Sequence, residues 1–481
     1  MQRKFITNLA LLLFLNFLIK PFWIFGIDRT VQNTVSARDY GIYFALFNFS
    51  MLFNIVLDLG ITNFNSRNIA QNNHLLSKYF SGIVVFKLAL MFIYLAITFV
   101  AGYIAGYDSE RFKILLFLTI NQALISFIQY LRSNISGLQL FTLDSLLSVL
   151  DKTLMIIFCA VLIWGNLFSF QFTLMHFIYA QTWAYALTFA LVFLIVLIKS
   201  KKFTVKVDWK FIIAIVKQTF PYALLVLTMT FYYRMDAVML DLMLDDGEKQ
   251  AAIYAQAYRL MDTSNQIGVL FATLLLPMFA YMIKERKKVD ELVKLSFSLL
   301  FIPAIVLAII CFFFSNQIIE ILYHSKIKDA ADVLVILMSC FVAIASTYIF
   351  GTLLTANGSL KILNKIAIVG LFLNFVLNFI LIPKYHALGS AYASLITQVI
   401  VLVSQILIAK RMFKFILNVK FLCSIIVFIG VSFCLTLALK LYMSNLIQQV
   451  IIVVIGSFFL GVLLRIIDVK KIYKILVERE L

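Results

Sequence analysis

Four ionisable side chains stand inside apolar sequence: Arg234 and Asp236 in one long segment, Arg259 and Asp262 in the next. The stretch from Phe220 to Ala280 contains both segments, joined by the acidic turn Asp245-Asp246-Gly247-Glu248. Lys20 adds a cation to the first apolar run of the chain, and Lys87 and Lys152 lie in the third and fifth. A charge at membrane depth is costly, so it faces a protein interior or a wet cavity and marks a functional path. Lys20, Arg234 and Arg259, three cations on three helices, point to an anionic ligand. Blander readings stand beside this one. Asp262 is i+3 from Arg259 and suits a structural ion pair. Asp58, near the end of the second span, suits either a ligand contact or a pairing with a neighbour. Lys152 lies near a membrane surface, where it can snorkel.

The elements that must position these groups are membrane helices. The chain has 481 residues, of which 63% are hydrophobic and 13% charged, which excludes an ordinary soluble domain. Its apolar runs reach about 20 residues, enough to cross a hydrocarbon core as a helix. We count 14 spans, at roughly 6–28, 40–62, 79–104, 112–135, 145–165, 170–198, 212–242, 250–281, 293–315, 330–356, 361–382, 387–409, 419–442 and 446–467. The formal charge of +18 lies in the connections between spans and does not point to nucleic acid. Alternate connections are rich in Lys and Arg, the longest being Lys199 to Lys217. The positive-inside rule then places both termini and that connection in the cytoplasm. The first run begins with Arg3-Lys4, yet it is long, contains Lys20-Pro21 and lacks a small-residue cleavage site. A retained helix is the expectation, not a signal peptide.

The basic connection divides the spans into six and eight. Tyr40-Gly-Ile-Tyr-Phe-Ala-Leu-Phe in span 2 echoes Ala251-Ala-Ile-Tyr-Ala-Gln-Ala-Tyr in span 8. This is the position an internal repeat of spans 1–6 and 7–12 requires, and such repeats place a substrate site between the halves of many transporters. The expected division is therefore residues 1–200 as a six-helix bundle, 201–217 as a basic linker, 218–415 as a second six-helix bundle, and 416–481 as two extra helices and a tail. The fold class is all-α and polytopic.

Polar residues recur at helical spacing in some spans. Span 2 has Asn54, Asp58 and Thr62; span 4 has Gln122, Ser126, Gln129 and Ser133; span 8 has Gln256, Arg259, Thr263 and Gln266; span 1 has Asn16 and Lys20. These stripes predict one central hydrophilic cavity, with Asp58, Gln256 and Gln266 beside the three cations. The alternative is that the uncharged stripes glue helices together. Spans 9, 13 and 14 are almost wholly apolar and are expected to face lipid. A second constellation combines Asp236 in span 7, Asn374 and Asn378 in span 11, and Ser394 and Thr397 in span 12. One carboxylate with several neutral oxygens suits a small hard cation such as Na⁺. Protonation of Asp236 is the competing coupling, and simple interhelical amide bonds are the bland reading. The five cysteines lie in apolar spans without paired spacing, so they read as small packing residues. The four histidines are scattered and predict no metal site. Nucleotide-binding loops, nucleophile elbows and hydrolytic carboxylate pairs are absent from the sequence. The chain thus reads as a non-enzyme without a bound cofactor, driven if at all by Na⁺ or H⁺.

Three blocks carry a family resemblance. The first is Asp39-Tyr-Gly-Ile-Tyr with Leu57-Asp-Leu-Gly. The second is Tyr233-Arg-Met-Asp-Ala-Val-Met-Leu with Ile253-Tyr, Tyr258-Arg-Leu-Met and Leu276-Pro277. The third runs from Leu354-Thr-Ala-Asn-Gly through Asn374, Asn378 and Ile382-Pro383 to Leu388-Gly-Ser-Ala-Tyr-Ala-Ser. Together they resemble the polysaccharide biosynthesis family of lipid-linked oligosaccharide flippases, within the multidrug, oligosaccharidyl-lipid and polysaccharide exporter superfamily. The resemblance implies two six-helix bundles around a central cavity. It implies a polyprenyl-diphosphate-linked oligosaccharide, an O-antigen, capsule or exopolysaccharide unit, moved from inner to outer leaflet of the bacterial cytoplasmic membrane. Its implied partners are that anionic lipid, the membrane lipids and other polysaccharide-assembly membrane proteins. It also implies a sodium site between spans 7, 11 and 12, with Asn378 leaving a single acid in the set. Two other functions fit less well. A multidrug exporter favours acidic cavity groups, and a glycan polymerase or ligase needs a catalytic loop at the membrane surface.

Overall fold

The computed structural model describes residues 14–466 apart from 17, 63–64, 66–68, 70–74, 166–171, 201–208, 325–326 and 416–418. The start of the first run with Arg3-Lys4, most of the 201–217 linker and the C-terminal tail fall outside the described residues. Among those described, every element is helical. A π-helical stretch, Phe22–Asp28, leads into α1 (Arg29–Thr34). Then follow α2 (Ala37–Leu52), a 3₁₀ turn (Asn54–Leu57), α3 (Leu75–Ile104), α4 (Ser109–Gly137), α5 (Phe141–Trp164) and α6 (Leu174–Ser200). The chain continues through α7 (Trp209–Met243), α8 (Gly247–Lys284), α9 (Asp290–Leu322), α10 (Ile327–Ala356), α11 (Leu360–Phe413), α12 (Val419–Tyr442) and α13 (Leu446–Leu463). Helix α11 is two helices meeting at His386, whose φ of 53° and ψ of −133° interrupt the helical path.

Ten helices are long and apolar enough to cross a membrane, and α11 counts as two across its kink. The first span, the short α2 and the polar α8 complete the expected set of about 14. This is a multi-pass membrane protein. In lipid each backbone polar group must be satisfied within the structure, and continuous helices do this.

The chain forms two compact units, Met1–Ala252 and Ile253–Leu481, which divide within α8. In the first unit, α2 packs on α4 and α7, and α6 packs on α4 and α5. The closest approach is at Gly41 of α2. A Cβ there would lie 1.7 Å from the backbone carbonyl oxygen of Glu248. No side chain can yield to relieve that contact, so only glycine fits. We expect Gly41→Ala to abolish the monodisperse folded protein in detergent. Gly430→Ala, which meets nothing within 4 Å, should leave the elution profile unchanged. A monodisperse Gly41→Ala protein of wild-type thermal stability would contradict this packing.

In the second unit, α9, α10 and α11 pack as neighbours, and α12 and α13 lean on α9. Phe428 of α12 and Val453 of α13 bury against Ile302, Ile310 and Phe314 of α9. The seam between α12 and α13 uses small residues, with Ser432 and Ser457 Oγ atoms 3.3 Å apart, as close helix approach in lipid requires. Span 9 therefore departs from the expectation that it faces lipid: 61% of its most apolar stretch is buried, against 17% in α12 and 22% in α13. Helix α10, together with the last two helices, supplies the cover. Cys159, Cys311 and Cys340 are buried, whereas Cys423 and Cys434 are exposed on α12 and do not pack in a core.

Candidate functional site

In the first unit the expected helix over 40–62 breaks. Helix α2 ends at Leu52 and the 3₁₀ turn carries the chain to Leu57. Leu59 and Gly60 then take positive φ, 47° and 81°. Glycine meets that conformation at no steric cost, whereas leucine tolerates it only under constraint. Asn54, Asp58 and Thr62 consequently do not form one helical face.

The Thr219 hydroxyl holds the Leu59 carbonyl oxygen, and the two residues before Leu59 are braced by Lys87 of α3, 1% exposed. Its ammonium donates to the Leu57 carbonyl oxygen at 2.8 Å, to Asp58 Oδ1 at 3.1 Å and to Ser126 Oγ at 2.9 Å. Three donors meet three acceptors. Hydrogen bonds to a charged group contribute about 1.5–3 kcal/mol each. Three such bonds together exceed the roughly 3 kcal/mol that a lysine costs at the centre of an inserted helix. Asp58 also accepts from the Thr62 backbone N–H and hydroxyl.

The polar residues of span 2 and α4 pair at matching intervals. Asn54 Nδ2 donates to Gln122 Oε1 at 3.1 Å, and Ser126 Oγ donates to the Leu57 carbonyl oxygen at 3.1 Å. Asn65 Nδ2 donates to Ser133 Oγ at 2.9 Å and to Asn134 Oδ1 at 3.0 Å. Gln129 alone of that stripe is exposed. These stripes act as glue inside the first unit, the alternative left open by their spacing. Asn16 behaves likewise, donating to Ser148 Oγ at 3.0 Å. Lys152 does not snorkel away: its ammonium lies 2.9 Å from the Tyr185 hydroxyl and 3.3 Å from Asp151, over the Trp23 ring at 5.7 Å.

The groups expected to meet an anion sit differently. Lys20 and Arg234 in the first unit and Arg259 in the second are all half-buried. Arg234 Nη1 donates to Asn48 Oδ1 of α2 at 3.3 Å. Two positions away, Asp236 is buried. On α8, Gln256 is buried, Asp262 half-buried and Gln266 exposed, so this stripe runs from interior to surface.

In the second unit Asn374, Asn378 and Thr397 are fully buried. Asn378 Nδ2 donates to Asn374 Oδ1 at 3.1 Å, and Ser390 Oγ donates to Asn378 Oδ1 at 2.9 Å. The kink at His386 brings Ser390 across to Asn378, a residue that spacing alone did not select. Ser394 is half-buried, and Thr397 Oγ1 has no hydrogen-bond partner among the described residues. Asp236 belongs to the first unit. Among the described residues, no group of three His, Cys, Asp or Glu side chains is placed to hold a metal ion.

Two further charged groups were overlooked because they read as connections. Asp28 is 3% exposed and accepts from the Tyr40 hydroxyl at 2.8 Å. Arg111, at the start of α4, binds Asp241 at the end of α7 and Glu248 at 3.1 Å.

This architecture defines the class: a polytopic membrane protein with the fold of flippases and multidrug transporters. The fold is similar to that of the lipid II flippase MurJ in its inward closed conformation, with a TM-score of 0.73 at 17% identity, covering 95% of this chain and 99% of that one. It is also similar to an inward-facing multidrug resistance MATE family transporter of the MOP superfamily, with a TM-score of 0.62 at 15% identity over 85% and 98% of the two chains. At those identities the likeness is one of fold. The sequence is specific where the fold is not. Residues 25–283, more than half of the chain, match the model of the polysaccharide biosynthesis protein family, and the chain belongs to that family. It is 30% identical to the capsular polysaccharide biosynthesis protein CapF of Staphylococcus aureus over 154 residues, 31% of this chain and 39% of that protein.

Proposed function

We propose that the protein moves a polyprenyl-diphosphate-linked oligosaccharide, a building unit of capsule, O-antigen or exopolysaccharide, from the inner to the outer leaflet of the bacterial cytoplasmic membrane. The carrying observation is that three cations, Lys20, Arg234 and Arg259, stand half-buried in apolar spans of a member of the polysaccharide biosynthesis family. A diphosphate supplies the anion those three would attract, with Asp58, Gln256 and Gln266 as further candidate contacts. Asp58 reaches that role only if its bond to Lys87 opens. The two six-helix bundles, 1–200 and 218–415, would rock about the bound head, with both termini cytoplasmic.

The test is translocation by the full chain in proteoliposomes, with a small panel of lipid-linked glycans. Arg259→Ala should reduce the rate at least a hundredfold while the protein remains in the membrane. Arg259→Lys should retain part of the rate if point charge dominates over the bidentate fork. Full translocation by Lys20→Ala, Arg259→Ala would sink the proposal, as would transport of cationic drugs in place of the lipid.

For coupling we propose that Asp236, Asn374, Asn378, Ser394 and Thr397 serve a cation, Na⁺ or H⁺. An imposed Na⁺ gradient at fixed pH should accelerate wild type and not Asp236→Asn. A wild-type rate indifferent to Na⁺ removes the sodium reading. A normal response of Asp236→Asn to a pH gradient removes Asp236 from coupling.

A further inference from the structure

A cavity of about 360 Å³ lies entirely within the second unit, where the start of α9, the end of α11 and the start of α12 meet beside Phe350 of α10. Its walls are mainly aromatic and aliphatic, including Phe297 and Phe421. Its charged groups are Lys294 and Lys410, with Asp290 as the one acid. All three are exposed, so they stand at the mouth and the interior is apolar. The Lys294 ammonium rests 4.9 Å from the centre of the Phe421 ring.

The neighbouring surface is that of a lipid-facing helix pair. Val403 and Leu407 of α11 are 47% and 59% exposed, and Leu422 and Ile426 of α12 are 44% and 69% exposed. The cavity therefore sits beside surface that only acyl chains can cover in a membrane. Its mouth lies at the basic end of these helices, next to Arg286, Lys287 and Lys288 before α9 and Arg411 and Lys414 after Lys410. By the positive-inside rule this is the cytoplasmic end.

An apolar chamber open to lipid, with cations at its inner-leaflet rim, fits an anionic amphiphile. The tail gains little by leaving one apolar phase for another, so selection must come from the head. Anionic head groups of the cytoplasmic leaflet are drawn to basic clusters, and basic pockets between helices on that side bind phosphate-bearing heads. We propose that this cavity is a binding site for a resident anionic phospholipid, its phosphate held by Lys294 and Lys410 and one acyl chain lying against the edge-to-face pair of Phe297 and Phe421. None of the elements lining it carries a residue of the candidate diphosphate set. The inference rests on the membrane placement of the chain and not on the transported substrate.

The test uses the full chain in nanodiscs of phosphatidylcholine doped with a phosphatidylglycerol bearing a photoreactive acyl chain, without transport substrate. Adducts should map to peptides containing Phe297 or Phe421. Unlabelled phosphatidylglycerol should displace them at a concentration about tenfold lower than phosphatidylcholine, as two cations near a surface warrant. Lys294→Ala, Lys410→Ala should lower adduct yield about tenfold, and the corresponding pair of arginine substitutions should restore it. Equal labelling by a phosphatidylcholine probe, unchanged yield in the alanine pair, or displacement by a polyprenyl phosphate at lower concentration than phosphatidylglycerol would overturn the assignment. The labelling is scored without translocation, so its failure is distinct from failure of the proposed function.

Discussion

Lys87→Ala is expected to destabilise the protein by about 3–5 kcal/mol, the range for removing one partner of a buried ion pair. The substitution leaves Asp58 without its cation and the Leu57 carbonyl without its strongest donor. It also removes the brace on the two residues that precede Leu59 and its positive φ. The unfolding midpoint of the purified chain in detergent reports the loss. A double-mutant cycle separates the pair from the cavity that alanine creates. Asp58→Asn combined with Lys87→Met removes both charges at similar volume, and replacing both partners of a buried pair is often nearly neutral. The double variant should thus recover most of the stability lost in Lys87→Ala. Lys87→Arg should not rescue, because a planar guanidinium cannot reproduce three acceptors arranged around one nitrogen. Stability of Lys87→Ala within about 0.5 kcal/mol of wild type, the range of an ordinary surface change, would show that Lys87 does not hold the break.

The second large effect is expected at Arg111. One guanidinium joins the start of α4 to the end of α7 and the start of α8 through Asp241 and Glu248. The Asp241 side chain is 0% exposed and Arg111 only 16%. Arg111→Ala therefore strands a buried carboxylate, at a cost of about 3 kcal/mol. Arg38 also approaches Glu248, at 3.6 Å, but is 67% exposed. Exposed pairs contribute about 0–1 kcal/mol, so Arg38→Ala should barely move the unfolding midpoint. Arg111→Lys should be intermediate, since an ammonium reaches one carboxylate more readily than two. Equal effects of Arg111→Ala and Arg38→Ala would show that burial does not set the strength of this junction.

The spans were legible because long apolar runs have few alternatives, and loop charge marked their connections. Sequence showed less of what each helix faces. Span 9 and spans 13 and 14 look alike in composition, yet α9 is buried and the others help to cover it. Lipid and protein interior are both apolar, so apolarity does not tell them apart. The stripe Asn54, Asp58, Thr62 was extended through a helix that stops at Leu52; Leu57-Asp-Leu-Gly contained the warning, a glycine where the chain turns left-handed. Lys87 stood out as an intramembrane charge, but its acceptors include a backbone carbonyl that helix periodicity treats as satisfied. Ser390 escaped because the register of the last family block is set by the kink at His386. Asp28 escaped because it is the last residue of span 1, where a charge reads as part of the connection. Lys20, Arg234 and Arg259 stood out as charges in apolar runs, and they are half-buried.

The acceptors of Lys87 have an order in time as well as in space. During synthesis Leu57 and Asp58 precede the lysine by 30 and 29 residues, while Ser126 follows it by 39. Two of the three acceptors have thus already left the ribosome when the charge itself emerges. Spans 2 and 3 can enter the bilayer as a hairpin whose cation and anion neutralise each other, before α4 is inserted. The turn at Asn54–Gly60 is in this sense a docking point prepared in advance for a charge that must be inserted next.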